Sequence, residues 1–258
     1  MLADMIRVFG IVAITALAVA AATNVAAQDR DAFIAGESLS CPGCDLSGLS
    51  LKRRDLAGAD LSGANLAGAI FHRSDLRGAN LAGADLTGAN LNKANLTGAN
   101  FRKAILAGAL MFEADAARAD FSGADFRGAF MGSIRLTLAK LDGADLTLAD
   151  LDSARMNDAS LSHAVLSEAN LQYAVLFRAN LTNIIAERTI MTEASMRGAN
   201  LSGAVLRFSD FFAADLSDAD LTGADFSVAF LLSAILLNAN QTGTIFTGAL
   251  MPDNTVHP

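Results

Sequence analysis

The sequence predicts an all-β solenoid, in which short extended segments and turns wind into stacked coils. A five-residue period runs without a break from Leu46 to Met251, and Leu, Phe or Met occupies 39 of its 42 positions, which we call centres. Ala occupies 33 of the 42 positions that lie two residues before a centre. Of the 21 glycines, 18 lie two residues after a position of this series, Gly43 included. The consensus is therefore Ala-(Asp/Asn)-Leu-x-Gly.

A period of five excludes both regular secondary structures as continuous elements. Along an α-helix each repeat would advance by about 140°, which spreads the centres around the axis. Along one strand the centres would alternate between faces, because five is an odd number. Within a repeat, however, Ala and the centre share a face, and the following Gly suits a turn. A short strand and a turn, repeated with the same bend, close the chain into coils that stack.

Residues 59–63, Ala-Asp-Leu-Ser-Gly, and residues 79–83, Ala-Asn-Leu-Ala-Gly, resemble the pentapeptide repeat family. The resemblance covers residues 41–251 and implies a right-handed quadrilateral β-helix with four repeats per coil. It implies about ten 20-residue coils, so that residues 20 apart form columns. Leu61 and Leu81 then belong to an inner column, and Asn80 and Asn100 to an outer amide ladder.

The N-terminus is predicted to be an export signal. An apolar run follows Arg7, and Val25-Ala26-Ala27 provides small residues for cleavage before Gln28. The predicted domains are a signal peptide at 1–27, a lead-in or cap at 28–40, the repeats at 41–251 and a tail at 252–258. The protein is thus expected in the periplasm or another exported compartment, with no transmembrane helix in the mature chain. A retained membrane anchor is the alternative.

Two local departures from the repeat each allow two interpretations. Ile184 replaces the small inward residue and Ala186 replaces a centre, which indicates either compensated packing with local distortion or a functional bulge. Cys41 and Cys44 take inward positions in the first coil, where they form either a disulfide or two buried thiols. A redox or zinc site is disfavoured, because no helix follows the cysteines and the histidines are remote in sequence.

Two outward surfaces depart from the usual polar composition. A basic column is predicted from cations that recur at 20-residue spacing and from their neighbours, namely Lys52, Arg53, His72, Arg73 and Lys93. A C-terminal apolar patch is predicted from outward apolar side chains, namely Phe208, Phe212, Val228, Phe230, Leu232, Ile235 and Leu237. We expect the tail to be too short to cap the last coil well. An apolar patch at an uncapped end predicts a C-terminal homodimer.

The sequence contains no catalytic constellation and implies no cofactor. Of the 27 acidic residues, 14 are Asp directly before a centre, so they belong to the repeat and mark no active site. Because a narrow solenoid has a filled interior, no concave pocket is expected. With a formal charge of −8, the chain is not expected to bind nucleic acid directly. The sequence therefore predicts a non-enzymatic structural or protein-interaction rod whose partner is not specified.

Two other functions are compatible with the composition. The first is an acidic mimic of DNA that binds a topoisomerase such as DNA gyrase, which the family resemblance implies for some relatives. The predicted export signal argues against it, because gyrase is cytoplasmic. The second is binding to an envelope or membrane surface through the basic column, since clustered cations attract anionic headgroups.

Overall fold

The computed structural model describes residues 29–258, and the predicted signal peptide lies outside them. Residues 29–35 form one short helix, α1, and the repeats follow. Each repeat contains a single bridge residue directly before its centre and a two-residue turn after it. The predicted short strands are therefore wrong in detail, since the described residues form isolated β-bridges in place of strands. Each corner takes up two of the five residues, and this leaves too few for a longer ladder.

The bridges establish the register of the coil. From Ser40↔Asp60 to Phe230↔Leu250, every bridge is parallel and joins residues 20 apart. Four repeats thus complete one turn, and the coil has four sides. Side 1 holds Leu61 and the centres in register with it, and sides 2, 3 and 4 hold those in register with Leu66, Phe71 and Leu76. The two turn residues that follow a centre of side 1 form corner 1–2. Those that follow centres of sides 2, 3 and 4 form corners 2–3, 3–4 and 4–1.

The interior is filled by the centres and the small residues two positions before them. Ala59 and Leu61 are both 0% exposed, whereas Asp60 between them is partly exposed, which confirms the predicted inward–outward alternation. The coils are joined by backbone hydrogen bonds, as where the Leu61 N–H donates to the Asn80 carbonyl at 2.8 Å. The larger rings also stack between coils, with 4.9 Å between the centroids of Phe101 and Phe121. Burial of each large side chain contributes about 1.5–3 kcal/mol before conformational entropy is counted.

Where Asp precedes a centre, its carboxylate stabilises the following turn. The Ser62 N–H donates to Oδ1 of Asp60 at 3.1 Å, and the same contact recurs along the coil. Asn80 Nδ2 donates to Asp60 Oδ1, and Asn100 Nδ2 donates to Asn80 Oδ1, each at 3.0 Å, as expected for an outer ladder. Hydrogen bonds from Ser62 and Asn80 hold the pKa of Asp60 below its ordinary value. These contacts give the aspartates a structural role in the repeat.

Ile184 and Ala186, whose sizes are exchanged relative to the repeat, both pack in the interior and are 0% exposed. The turn after Ala186 is distorted, however, and a hydroxyl from the next coil completes it. The Thr189 N–H donates to Ser209 Oγ at 3.1 Å, and Ser209 Oγ donates to the Ala186 carbonyl at 2.5 Å. In ordinary repeats the N–H bonds directly to this carbonyl, as from Ala194 to Met191 at 3.1 Å. The structure therefore favours compensated packing with local distortion.

Short segments cover both ends of the coil. At the N-terminal end, Phe33 of α1 is 0% exposed, and the Arg54 guanidinium donates to the carbonyls of Phe33 and Ile34, each at 3.1 Å. At the C-terminal end, the tail turns back so that Val256 pairs antiparallel with Leu250. The prediction that the tail is too short to cap was therefore wrong for this part of the last coil.

The tail leaves the remainder of the last coil open. The tail ring of His257 lies 5.9 Å from the ring of Phe246, which is only 6% exposed. Leu236 is only partly buried, and Gln241 is exposed, as expected for a polar centre in the last coil. Within the described residues, the N–H groups of Leu236 and Gln241 have no backbone acceptor. A backbone edge therefore remains free beside the C-terminal apolar patch.

Candidate interaction surface

The basic column lies on corner 3–4 near the N-terminal end. The bridges Ser50↔Ile70 and Ile70↔Asn90 align its members, so that Arg53 and Arg73 occupy the same turn position in successive coils. Lys93 ends the column in an ion pair, with Nζ at 3.1 Å from Oε2 of Glu113. Within residues 29–258, neither Arg53 nor Arg73 lies within 4 Å of a carboxylate. The cations are therefore adjacent, exposed and only partly neutralised.

The C-terminal apolar patch wraps around side 3 and side 4 at the other end of the coil. Phe208 and Val228 lie on corner 2–3 and are 51% and 52% exposed, while Leu237 on corner 4–1 is 65% exposed. Phe212 on corner 3–4 and Phe230 on side 3 have ring centroids 6.2 Å apart. Clustered exposed apolar side chains on a soluble surface are typical of interaction sites. The remaining members lie beside them, namely Leu232 and Ile235.

Side 3 joins the two predicted surfaces through residues that the sequence interpretation missed. Phe112 on corner 3–4, Phe130 on side 3 and Leu148 on corner 2–3 are 45%, 55% and 60% exposed. They lie between the basic column and the C-terminal apolar patch. Outward apolar residues at 20-residue registers were the available signal, but each was isolated in the linear sequence. Side 3 and its corners carry all the exposed phenylalanines among the described residues except Phe177.

The two cysteines lie in the first coil, away from this surface. Cys41 and Cys44 are joined by a disulfide, and their Cα atoms are 5.4 Å apart. Cys41 is 0% exposed and Cys44 is 4% exposed, so the pair also packs as part of the core. The bond closes the first repeat directly after α1. Its oxidation state in the cell remains a prediction that depends on the compartment.

The described residues were also compared with the requirements of a metal site and of a membrane-spanning helix. Among residues 29–258, no group of three or more His, Cys, Asp and Glu side chains could hold a metal ion. In the same range, no helix is long and apolar enough to cross a membrane. Several of the charged side chains in this range are paired with one another, as Arg207 is with Asp225 at 2.6 Å.

Known structures include several proteins of similar sequence. HetL, a pentapeptide repeat protein involved in the regulation of heterocyst differentiation in the cyanobacterium Nostoc, is 30% identical over 88% of this chain and 97% of its own, with a TM-score of 0.29. A second Nostoc pentapeptide repeat protein is 43% identical over 29% of this chain and 62% of its own, with a TM-score of 0.29. QnrB1, a plasmid-mediated fluoroquinolone resistance protein, is 22% identical over 76% of this chain and 89% of its own, with a TM-score of 0.35. No curated protein matches the chain.

The family assignment follows from the repeats themselves. The family model for pentapeptide repeats matches in 8 copies within residues 44–183 and 189–227, which is more than half of the chain. Proteins with these repeats form a right-handed quadrilateral β-helix, and they are generally non-enzymatic structural or interaction proteins. The four-sided coil, its 20-residue register and the matched repeats show that this chain belongs to the pentapeptide repeat family.

Proposed function

We propose that this chain is an exported, non-enzymatic rod of about ten coils that binds protein through its C-terminal end. The observation that carries the proposal is the C-terminal apolar patch, in which Phe208, Val228 and Leu237 are each at least half exposed. Monomeric soluble proteins rarely leave such a cluster open to water, because its burial is favourable. Protein interaction through this patch therefore accounts for the residues that the repeat itself does not require.

The partner we propose is a second copy of the chain. In earlier coils the N–H of a centre bonds to the next coil, as from Leu216 to the Ile235 carbonyl at 2.8 Å. The equivalent N–H groups of Leu236 and Gln241 have no backbone acceptor among the described residues. A two-fold axis at this end brings identical apolar patches and identical open edges together, as a closed dimer requires.

The proposed dimer is tested by light scattering coupled to size exclusion at about 50 μM, a concentration at which a micromolar dimer forms. Phe208→Asp is the test variant, because it places a charge in the patch. Leu148→Asp is its matched control, since Leu148 occupies the same turn position on corner 2–3 and is 60% exposed. We expect a dimer for the wild type and for Leu148→Asp, and a monomer for Phe208→Asp. A monodisperse wild-type monomer contradicts the proposal.

The exported location rests on residues 1–27 and is tested separately. The proximity of Cys41 and Cys44 supports it, because disulfides persist in oxidising compartments. We expect a mature N-terminus near Gln28 and a protein recovered outside the cytoplasm, as determined by cell fractionation and mass spectrometry. An intact N-terminus in the cytoplasmic fraction contradicts export, and an intact N-terminus in the membrane fraction identifies an anchored rod.

The two alternative functions have less support. Binding to an anionic surface through the basic column is limited by Glu113, which neutralises Lys93 at 3.1 Å. Mimicry of DNA requires carboxylates that are free to imitate phosphates, whereas Asp60 and its equivalents accept hydrogen bonds from the turns. Unchanged gyrase supercoiling in the presence of excess protein excludes mimicry. Vesicle binding that survives replacement of Arg53, Arg73 and Lys93 by Ser excludes the basic column.

A further inference from the structure

A depression of about 290 Å³ lies on corner 4–1, remote from side 3. Its floor is Ala117, which lies between Thr97 and Thr137 in a column of residues 20 apart. Because Ala117 is smaller than both neighbours, a gap opens in the column. The expectation that a narrow solenoid has no concave site holds for its filled interior, but it does not hold for this outer corner. The other lining residues are Arg118, Arg135 and Leu138.

The depression is electropositive in a chain of net charge −8. Arg118 at its edge lies within 4 Å of no carboxylate among residues 29–258, whereas Arg135 pairs with Asp115 at 3.2 Å. Arg135 is bridged to Arg155, which has no carboxylate partner in the described part of the chain either. Of these three guanidinium groups, only that of Arg135 therefore has a carboxylate partner in the described residues. Adjacent like charges are unfavourable unless an anion lies between them.

The donors and the size of the depression define the class of ligand. A guanidinium carries five N–H donors in a planar fork that matches an oxyanion, so Arg135 retains free donors beside its ion pair. The Thr137 hydroxyl provides a further donor, whereas the Thr97 hydroxyl already donates to Asn95 Oδ1 at 2.7 Å. Leu138, which is 46% exposed, provides an apolar wall. The volume approaches that of the smaller ligand pockets, about 300 Å³, and thus exceeds what a bare anion fills.

We propose that this depression binds the oxyanion of a small phosphate or sulfate ester. The oxyanion lies between Arg118 and Arg135 and accepts a hydrogen bond from the Thr137 hydroxyl. The organic group packs against Leu138. Phosphate and sulfate esters share the tetrahedral oxyanion, and the affinities for the two ester types identify which the site prefers.

Isothermal titration of the purified protein with phenyl phosphate, phenyl sulfate, inorganic phosphate and acetate tests the proposal. Arg118→Gln removes the unpaired guanidinium. Ala117→Leu fills the depression without a change of charge, and the same column already accommodates Phe177 and Leu237. Lys103→Gln is the matched control, because Lys103 occupies the same turn position with φ 56° against 59° for Arg118 and also lies within 4 Å of no carboxylate among residues 29–258.

We expect saturable binding of one ester per chain, weaker binding of inorganic phosphate and no saturable binding of acetate. Arg118→Gln and Ala117→Leu each weaken ester binding by at least tenfold, while Lys103→Gln leaves it unchanged. Thermal unfolding and circular dichroism establish that each variant is folded. The proposal is overturned if no ester binds saturably, if Lys103→Gln weakens binding as much as Arg118→Gln, or if Ala117→Leu binds like the wild type.

Discussion

The turn glycines allow the conformational cost of the repeat to be measured with little interference from packing. Gly63, Gly143 and Gly223 occupy one column on corner 1–2 with φ of 63°, 66° and 65°. A Cβ added at any of the three would meet no heavy atom within 4 Å. Replacement by Ala therefore changes backbone preference and leaves packing unchanged. The left-handed conformation costs a non-glycine residue about 1–2 kcal/mol.

The expected net effect is smaller than this cost, since Ala loses less entropy than Gly when the chain folds. That difference favours Ala by about 0.5–1 kcal/mol, so each substitution destabilises the protein by about 1 kcal/mol. Gly63, Gly143 and Gly223 are separated by four coils each, or about 19 Å, so their effects should add. The triple variant is thus expected to lose about 2–3 kcal/mol.

Urea unfolding followed by circular dichroism measures the free energy of unfolding of the triple variant. Gly132→Ala is the control, because Gly132 lacks a positive φ and its added Cβ would meet the Phe112 ring at an ordinary 3.4 Å. We expect this control to be neutral or slightly stabilising. A triple variant within about 0.5 kcal/mol of the wild type would refute the reasoning, because it would leave no conformational cost at these turns.

Three further predictions concern the hydroxyl of Ser209, the carboxylate of Asp225 and the disulfide of Cys41 and Cys44. Ser209→Ala should cost at least about 2 kcal/mol in urea unfolding, because it leaves a buried N–H and a buried carbonyl unpaired, whereas Ser74→Ala should cost about 1 kcal/mol or less. Burial alone raises the pKa of Asp225, but its hydrogen bonds and its arginine partner outweigh burial and lower the pKa. Its contribution to stability is therefore present above the unfolded pKa of about 3.9 and lost as the pH falls through the folded pKa, so thermal unfolding of Asp225→Asn should depend less on pH in that range. Reduction of Cys41–Cys44 should cost about 2 kcal/mol, and hydrogen exchange should rise in the first coil alone; a rise along the whole rod would contradict independent coils.

The sequence predicted those features of the fold that recur in every repeat. The inward positions of Ala59 and Leu61 follow from their two-residue spacing, and the column of Leu61 and Leu81 follows from four repeats per coil. A pattern repeated 42 times averages out local exceptions, so the period alone excludes helices and long strands. The number of repeats per coil came from family resemblance, because periodicity does not specify how many corners close a turn.

The features that the sequence did not predict depend on contacts between different coils or at the ends. Ser209 occupies an ordinary inward position, and its role follows only from the distorted turn that lies 20 residues earlier. Arg54 stands where Ala is usual, yet it is accommodated because α1 lies beside it and the carbonyls of α1 accept its hydrogen bonds. The antiparallel pairing of Val256 with Leu250 lies beyond the last repeat, so the five-residue period does not predict it.

The candidate surface illustrates the same distinction. The basic column and the C-terminal apolar patch were predicted as separate regions, and their relation became evident only when the column and most of the patch were assigned to side 3 and its corners. Phe112 and Phe130 are 18 residues apart in sequence but occupy neighbouring coils, because one coil takes 20 residues. A surface of this kind is divided among many short segments, so a linear pattern does not reveal it.

Non-glycine residues with a positive φ in the turns help to locate residues that have a specific function. Phe208, Leu148 and Arg118 all adopt a positive φ of about 60° that Gly would adopt at lower cost. Many other non-glycine residues do so as well, Ser133 among them, so strain alone identifies no site. Strain combined with an exposed apolar or unpaired cationic side chain selects fewer residues, although Leu148 also meets this condition outside the C-terminal apolar patch. Both proposed sites, the C-terminal apolar patch and the depression on corner 4–1, contain a residue of this kind.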